Sequence, residues 1–89
     1  MSEYTGVYAA TFEIEIAREK SAFILSEYGR YFSATNISIN DRQNPDVARY
    51  WELVRLRNEL FNMKTVEEVK EADKVFVEER EHIKELYEN

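Results

Sequence analysis

The segment from Asn44 to Met63 constrains the fold more than any other, because its apolar residues are spread too widely to be buried from one side. On a helix of about 3.6 residues per turn, Val47, Tyr50, Trp51, Val54 and Phe61 form one face. Leu53, Leu56, Leu60 and Met63 form a second beside it, and only Glu52, Arg55, Glu59 and Asn62 make an uninterrupted polar stripe. A helix that is apolar over more than half its circumference needs neighbours on two sides. The segment is therefore expected at the centre of an all-helical domain.

Both ends of this helix are marked. Asn44 suits an N-cap and Pro45 the first helical position, where its missing N–H loses no bond. Asp46 then lies near the positive end of the helix dipole. The end falls near Asn62, because Thr65-Val66-Glu67-Glu68 reads as a capping box opening the next helix, with Glu68 reaching back. Only Met63 and Lys64 lie between, and so short a link makes the last two helices an antiparallel hairpin. Val66, Val69, Ala72, Phe76, Ile83 and Tyr87 form the inner stripe of the last helix, with Val75 and Leu86 on one flank and Glu and Lys side chains outside.

The N-terminal part is ambiguous at first. Phe12-Glu13-Ile14-Glu15-Ile16 alternates with period two, as a half-buried strand does. Over a longer window Ile14, Ala17, Ser21, Ile24, Tyr28 and Tyr31 fall at alternating three- and four-residue steps, with Leu25 and Phe32 beside them, so a long helix is predicted. Phe12, Ile16 and Phe23 share a different face of it. Gly29, late in this helix, is a candidate C-terminal stop, in which case Arg30 to Phe32 is a turn or a short second piece. Residues 33–43 are rich in Ser, Thr, Asn and Asp, which favour turns, with Ile37 and Ile39 as a short extended pin to the core. The predicted architecture is an all-α, three-helix bundle, with helices near 9–32, 45–62 and 65–88, residues 1–8 frayed and residues 33–44 connecting, in one domain spanning 1–89.

Composition removes several classes of function. With no cysteine there is no disulfide, thiolate nucleophile or Cys-based zinc site. No apolar run approaches the roughly 20 residues that span a bilayer, and the N-terminus has no signal-peptide pattern. A cytoplasmic protein without a membrane role is the expectation. The net charge of −6 is uneven, at −2 over residues 1–40, +1 over 41–64 and −5 over 65–89. An acidic C-terminal helix argues against direct nucleic-acid binding, which Lys and Arg drive, and leaves a protein partner or a cation.

One histidine and two glycines leave no Ser-His-Asp set, nucleophile elbow or phosphate loop, so an enzyme is disfavoured. One helical pattern bears on metal chemistry. In Glu79-Arg80-Glu81-His82 a Glu and a His three apart point the same way, as the ligands of helical-bundle carboxylate proteins do. Glu52 is the candidate ligand from a facing helix, with iron or manganese as the cofactor. The text around it, Thr65-Val66-Glu67-Glu68-Val69-Lys70 followed by Glu78-Glu79-Arg80-Glu81-His82, resembles the second helix of the small encapsulin-associated ferritin-like proteins. That resemblance implies a di-iron site shared across a dimer. The plainer expectation is a partly exposed His82 beside a neighbouring glutamate, with no cofactor. Glu68-x-x-Glu71 with Glu78-x-x-Glu81 is similar to the acidic pairs of helical nucleotide pyrophosphohydrolases, which hold magnesium, but Glu71, Glu78 and Glu81 fall on the outer face.

The functional expectation is a small acidic protein-interaction module: a self-associating structural protein, an adaptor or an inhibitor. It would act by burying the second apolar face of the first helix, through Tyr8, Phe12, Ile16 and Phe23, against a protein partner or a copy of itself in a homo-oligomer. Two alternatives stand beside it. One is an oligomeric metal-binding protein using Glu52, Glu79 and His82; the other is an acidic mimic of nucleic acid that blocks a DNA-binding protein.

Overall fold

A computed structural model describes the backbone of residues 2–88 and the side chains of residues 11–86. Three helices follow in order: α1 (Ser2–Ala34), α2 (Pro45–Glu59) and α3 (Val66–Glu88), with a single 3₁₀ turn, Leu60–Asn62, closing α2. There is no strand among the described residues, so the period-two stretch at 12–16 is helical.

α1 is the element against which both others pack, along most of α3 and over a shorter stretch of α2. Its pairing with α3 is parallel. Lys20 meets Asp73 at 2.8 Å and Tyr28 meets Glu79 at 2.7 Å, partners 53 and 51 residues apart. At that offset Val66 comes level with the Glu13–Glu15 stretch, so the earlier turns of α1 run past the start of α3. A 33-residue helix at about 1.5 Å per residue accounts for the 52 Å long axis of the molecule. α2 runs the other way. Tyr50, near its start, packs edge-on against Tyr28 and Phe32 of α1 (ring centroids 6.3 and 5.8 Å), whereas Phe61, just past its end, lies 4.5 Å from the Arg18 guanidinium.

The core joins Ala17, Ile24, Tyr28 and Phe32 of α1 to Val47, Leu53 and Leu60 and to Val69, Ala72, Phe76 and Ile83 of α3. Each large side chain fully withdrawn from water contributes about 1.5–3 kcal/mol. Ser21 is also fully buried; its hydroxyl donates to the Arg18 carbonyl at 2.7 Å, so no polar atom is left unpaired there.

The expected starts of the last two helices are present. Asn44 Oδ1 accepts from the Asp46 N–H at 2.9 Å ahead of Pro45, and Thr65 Oγ1 accepts from the Glu68 N–H at 3.2 Å. The Glu68 carboxylate bonds the N–H of Lys64, not that of Thr65.

Three details differ from the sequence expectation. α1 does not stop at Gly29, which has ordinary negative φ and faces open space; it continues to Ala34 and is closed by Asn36 at φ 58°. Asn tolerates that left-handed conformation. The Ile37 N–H returns to the Phe32 carbonyl at 2.8 Å and the Asn36 N–H to that of Ser33 at 3.4 Å, so two C-terminal carbonyls are satisfied. Ile37 packs on the core, but Ile39 is exposed, and only its carbonyl is engaged, by the Trp51 indole N–H at 2.8 Å. Finally, α2 is not enclosed on two sides. The tighter 3₁₀ turn buries Leu60 and leaves Phe61 59% exposed.

Candidate functional site

The inner face of α1 is consumed by the core, and what remains outside is the second apolar face. Phe12 is 64% exposed and Phe23 53% exposed, with Ile16 half-buried between them. The Tyr8 side chain lies outside the described residues. Spacings of four and seven residues keep Phe12, Ile16 and Phe23 in one row. Phe12 lies where α1 has run past the start of α3, so α3 cannot cover it.

Phe23 sits at the edge of an open groove of about 610 Å³ between α1 and α3. Ile24 and Phe76, both core residues, belong to its lining, together with the 46%-exposed Val77. The Arg80 guanidinium stands 5.8 Å from the Phe23 ring. Arg80 has no ion pair among the described residues, and the groove combines apolar walls with a rim of mixed charge, where Arg80, Lys20 and Lys84 stand with Glu19 and Glu81. Partly exposed aromatic side chains beside arginine are the residue types enriched in protein interfaces.

The residues weighed for metal are placed differently. Glu79 is buried, and both its oxygens are taken: Oε2 accepts from the Tyr28 hydroxyl at 2.7 Å and Oε1 from Arg49 Nε. Glu52 pairs with the same Arg49 at 3.2 Å, and His82 is partly exposed with Nδ1 4.0 Å from Glu85. Arg49 therefore occupies the space that a metal bridging Glu52 and Glu79 would need. Among the described residues no group of three His, Asp or Glu side chains is placed to hold a metal ion. The outer carboxylates serve the helix itself: Glu71 pairs with Lys74 at 3.3 Å, Glu81 with Lys84 at 3.4 Å, and Glu68 caps.

The Tyr28–Glu79–Arg49 set joins all three helices. Burial pushes the Tyr28 hydroxyl well above the ordinary tyrosine range, and the hydrogen-bonded Glu79 carboxylate pushes it further. Partial burial works against the Arg49 charge, but Glu79 outweighs it, so Arg49 is held more firmly protonated than usual. Sequence inspection alone passed over this set, although a glutamate three residues after Phe76 and four before Ile83, on the buried side of α3, is the signal that calls for an internal partner.

On this small all-α bundle the exposed Phe12 and Phe23 form an uncovered apolar row of the kind that another protein can bury. More particularly, a model of the bacterial epsilon antitoxin family matches residues 6–86, and the chain belongs to that family. An antitoxin neutralises a toxin, so the family implies a partner protein. No curated protein and no solved structure matches the chain. Among the described residues no helix is long and apolar enough to cross a membrane.

Proposed function

We propose that this chain is an antitoxin that inhibits its toxin by binding it directly, with the α1 row of Phe12, Ile16 and Phe23, extended by Tyr8, as the docking face. The observation that carries this reading is the exposure of Phe12 and Phe23 on a helix whose opposite side already supplies the core. Large apolar side chains standing together in water favour burial by a partner. The Phe23 groove, with Val77 and Arg80, widens the same face onto α3. Outside it the acidic surface of α3 keeps the protein charged and steers a basic partner towards it. Self-association through the same row is the competing use of this surface.

The test begins with a tagged copy of the chain expressed in the bacterium that encodes it, recovery of the bound toxin, and identification by mass spectrometry. Purified toxin is then titrated calorimetrically with wild-type protein and with Phe12→Asp and Phe23→Asp. Both variants should fold as wild type by circular dichroism, lose binding by at least about a hundredfold, and fail to relieve the growth arrest caused by the toxin. Folded variants that bind and neutralise like wild type would remove α1 as the docking face. Light scattering on the isolated chain separates the two uses of the row, since a monomer that binds toxin excludes self-association as its purpose.

Three apolar side chains at about 25 cal/mol per Å² supply a few kcal/mol, whereas association costs at least about 4 kcal/mol. A second area of contact is therefore required.

A further inference from the structure

Of the twelve cationic side chains in this acidic protein, Lys20, Arg30, Arg49, Arg55, Lys74 and Lys84 are ion-paired in the described structure. Arg18 of α1 and Arg57 of α2 are not, although they line one cleft of about 290 Å³ between their helices. The Nε atom of each is shielded from water and has no hydrogen-bond acceptor. Each side chain is thus held against the protein at an unsatisfied Nε while it lines the cleft. Arg18 is fixed by stacking 4.5 Å over the ring of Phe61, itself 59% exposed.

Two more features relate this cleft to the rest of the surface. Glu19 lines both it and the Phe23 groove, so the two depressions flank a single crest of α1. A body seated on that crest reaches both. Glu15 also lines the cleft, and two carboxylates there repel a doubly charged phosphate more than a single carboxylate. A carboxylate matches the planar donor fork of arginine, and the exposed Phe61 beside it offers apolar contact that a free anion would not use.

Because the toxin is taken to sit on α1, as proposed above, we infer that the same toxin reaches across the crest and places an Asp or Glu side chain between Arg18 and Arg57, with an apolar neighbour against Phe61. This supplies the second contact area that the Phe12 row lacks. It also gives the interface a polarity opposite to that of the whole chain, with carboxylates of the toxin meeting arginines of an acidic antitoxin.

The test is calorimetric titration of the purified toxin with Arg18→Ala/Arg57→Ala, Arg18→Lys/Arg57→Lys, Arg55→Ala and Phe23→Asp. The alanine pair should bind at least about tenfold more weakly and with a smaller loss of affinity on raising salt. The lysine pair keeps charge but not the fork and should fall between it and wild type, a comparison that stands even where the alanine pair is poorly folded. Arg55→Ala, whose partner is Glu59 on its own helix, should bind as wild type. Wild-type affinity in both double variants, with binding lost in Phe23→Asp, would overturn the Arg18–Arg57 contact and leave the α1 docking face standing. Wild-type affinity in Phe23→Asp would instead remove the docking face, and the cleft contact with it.

Discussion

Tyr28 donates its hydroxyl hydrogen to Glu79 at 2.7 Å across the parallel packing of α1 and α3, and Arg49 of α2 takes the other oxygen of the same buried carboxylate. A charge buried at this depth is tolerable only while its partners hold. One carboxylate therefore records the relative placement of all three helices.

Removing the cation should expose that dependence. Arg49→Ala leaves Glu79 buried with only a neutral partner and is expected to lower unfolding free energy by about 3 kcal/mol. Tyr28→Phe, which deletes one hydrogen bond but keeps the ring packed against Phe32 and Tyr50, should cost about 1–3 kcal/mol. Urea denaturation of the three proteins at neutral pH gives both values, and equal stabilities would show that Glu79 is not held as described.

The raised pKa of Tyr28 predicts a loss of stability in alkali. Its hydroxyl stays protonated in the folded state at pH values where an unfolded tyrosine, with an ordinary pKa of about 10, releases its proton. The unfolded chain then binds fewer protons than the native one, so stability is complete below about pH 10 and falls above it. Arg49, raised from an already high value, is charged in both states over this range and adds nothing to the slope. Denaturation between pH 8 and 11.5 should show a steeper decline for wild type than for Tyr28→Phe; parallel curves would contradict the assignment.

The end of α1 gives a pair of opposite expectations. Gly29 is mid-helical, with negative φ and nothing within 4 Å of an added Cβ, so Gly29→Ala should stabilise by about 0.5–1 kcal/mol. Asn36 occupies the left-handed position, where Asn36→Val should destabilise by about 1–2 kcal/mol and Asn36→Gly should be tolerated. Thermal unfolding by circular dichroism resolves the difference in sign.

Metal binding should leave the protein unmoved. With Glu79 engaged by Tyr28 and Arg49, and His82 facing out beside Glu85, added manganese, ferrous iron or zinc is expected not to raise the melting temperature of wild type, nor to distinguish it from His82→Ala. A stoichiometric metal that is lost on His82→Ala would reverse this expectation.

What was legible beforehand follows a physical rule. The inner stripe of α1, that of α3 as far as Ile83, and the caps at Asn44 and Thr65 depend on neighbours within about one turn, and each is present; the Tyr87 side chain lies outside the described residues, and the link before α3 is three residues, Met63 to Thr65, where two were expected. Phe12 and Phe23 were separable from the core row because helical periodicity alone puts them on another side. Errors arose where the outcome depended on contacts distant in sequence. Phe61 reads as core by periodicity but turns outward where α2 tightens, and Gly29 reads as a stop although nothing in its surroundings requires one.

By itself, then, the order of residues determined that this would be an all-α bundle of three helices, because turn-by-turn hydrogen bonding and the spacing of apolar side chains act locally. Only the tertiary structure decided that α1, not α2, is the shared partner, that Glu79 is held by residues 51 and 30 positions away, and that Arg18 and Arg57 line one cleft, each with a buried Nε that has no acceptor. Those outcomes follow from the register and direction in which long helices lie together, which is set by many weak contacts summed over whole faces and is written at no single position in the chain.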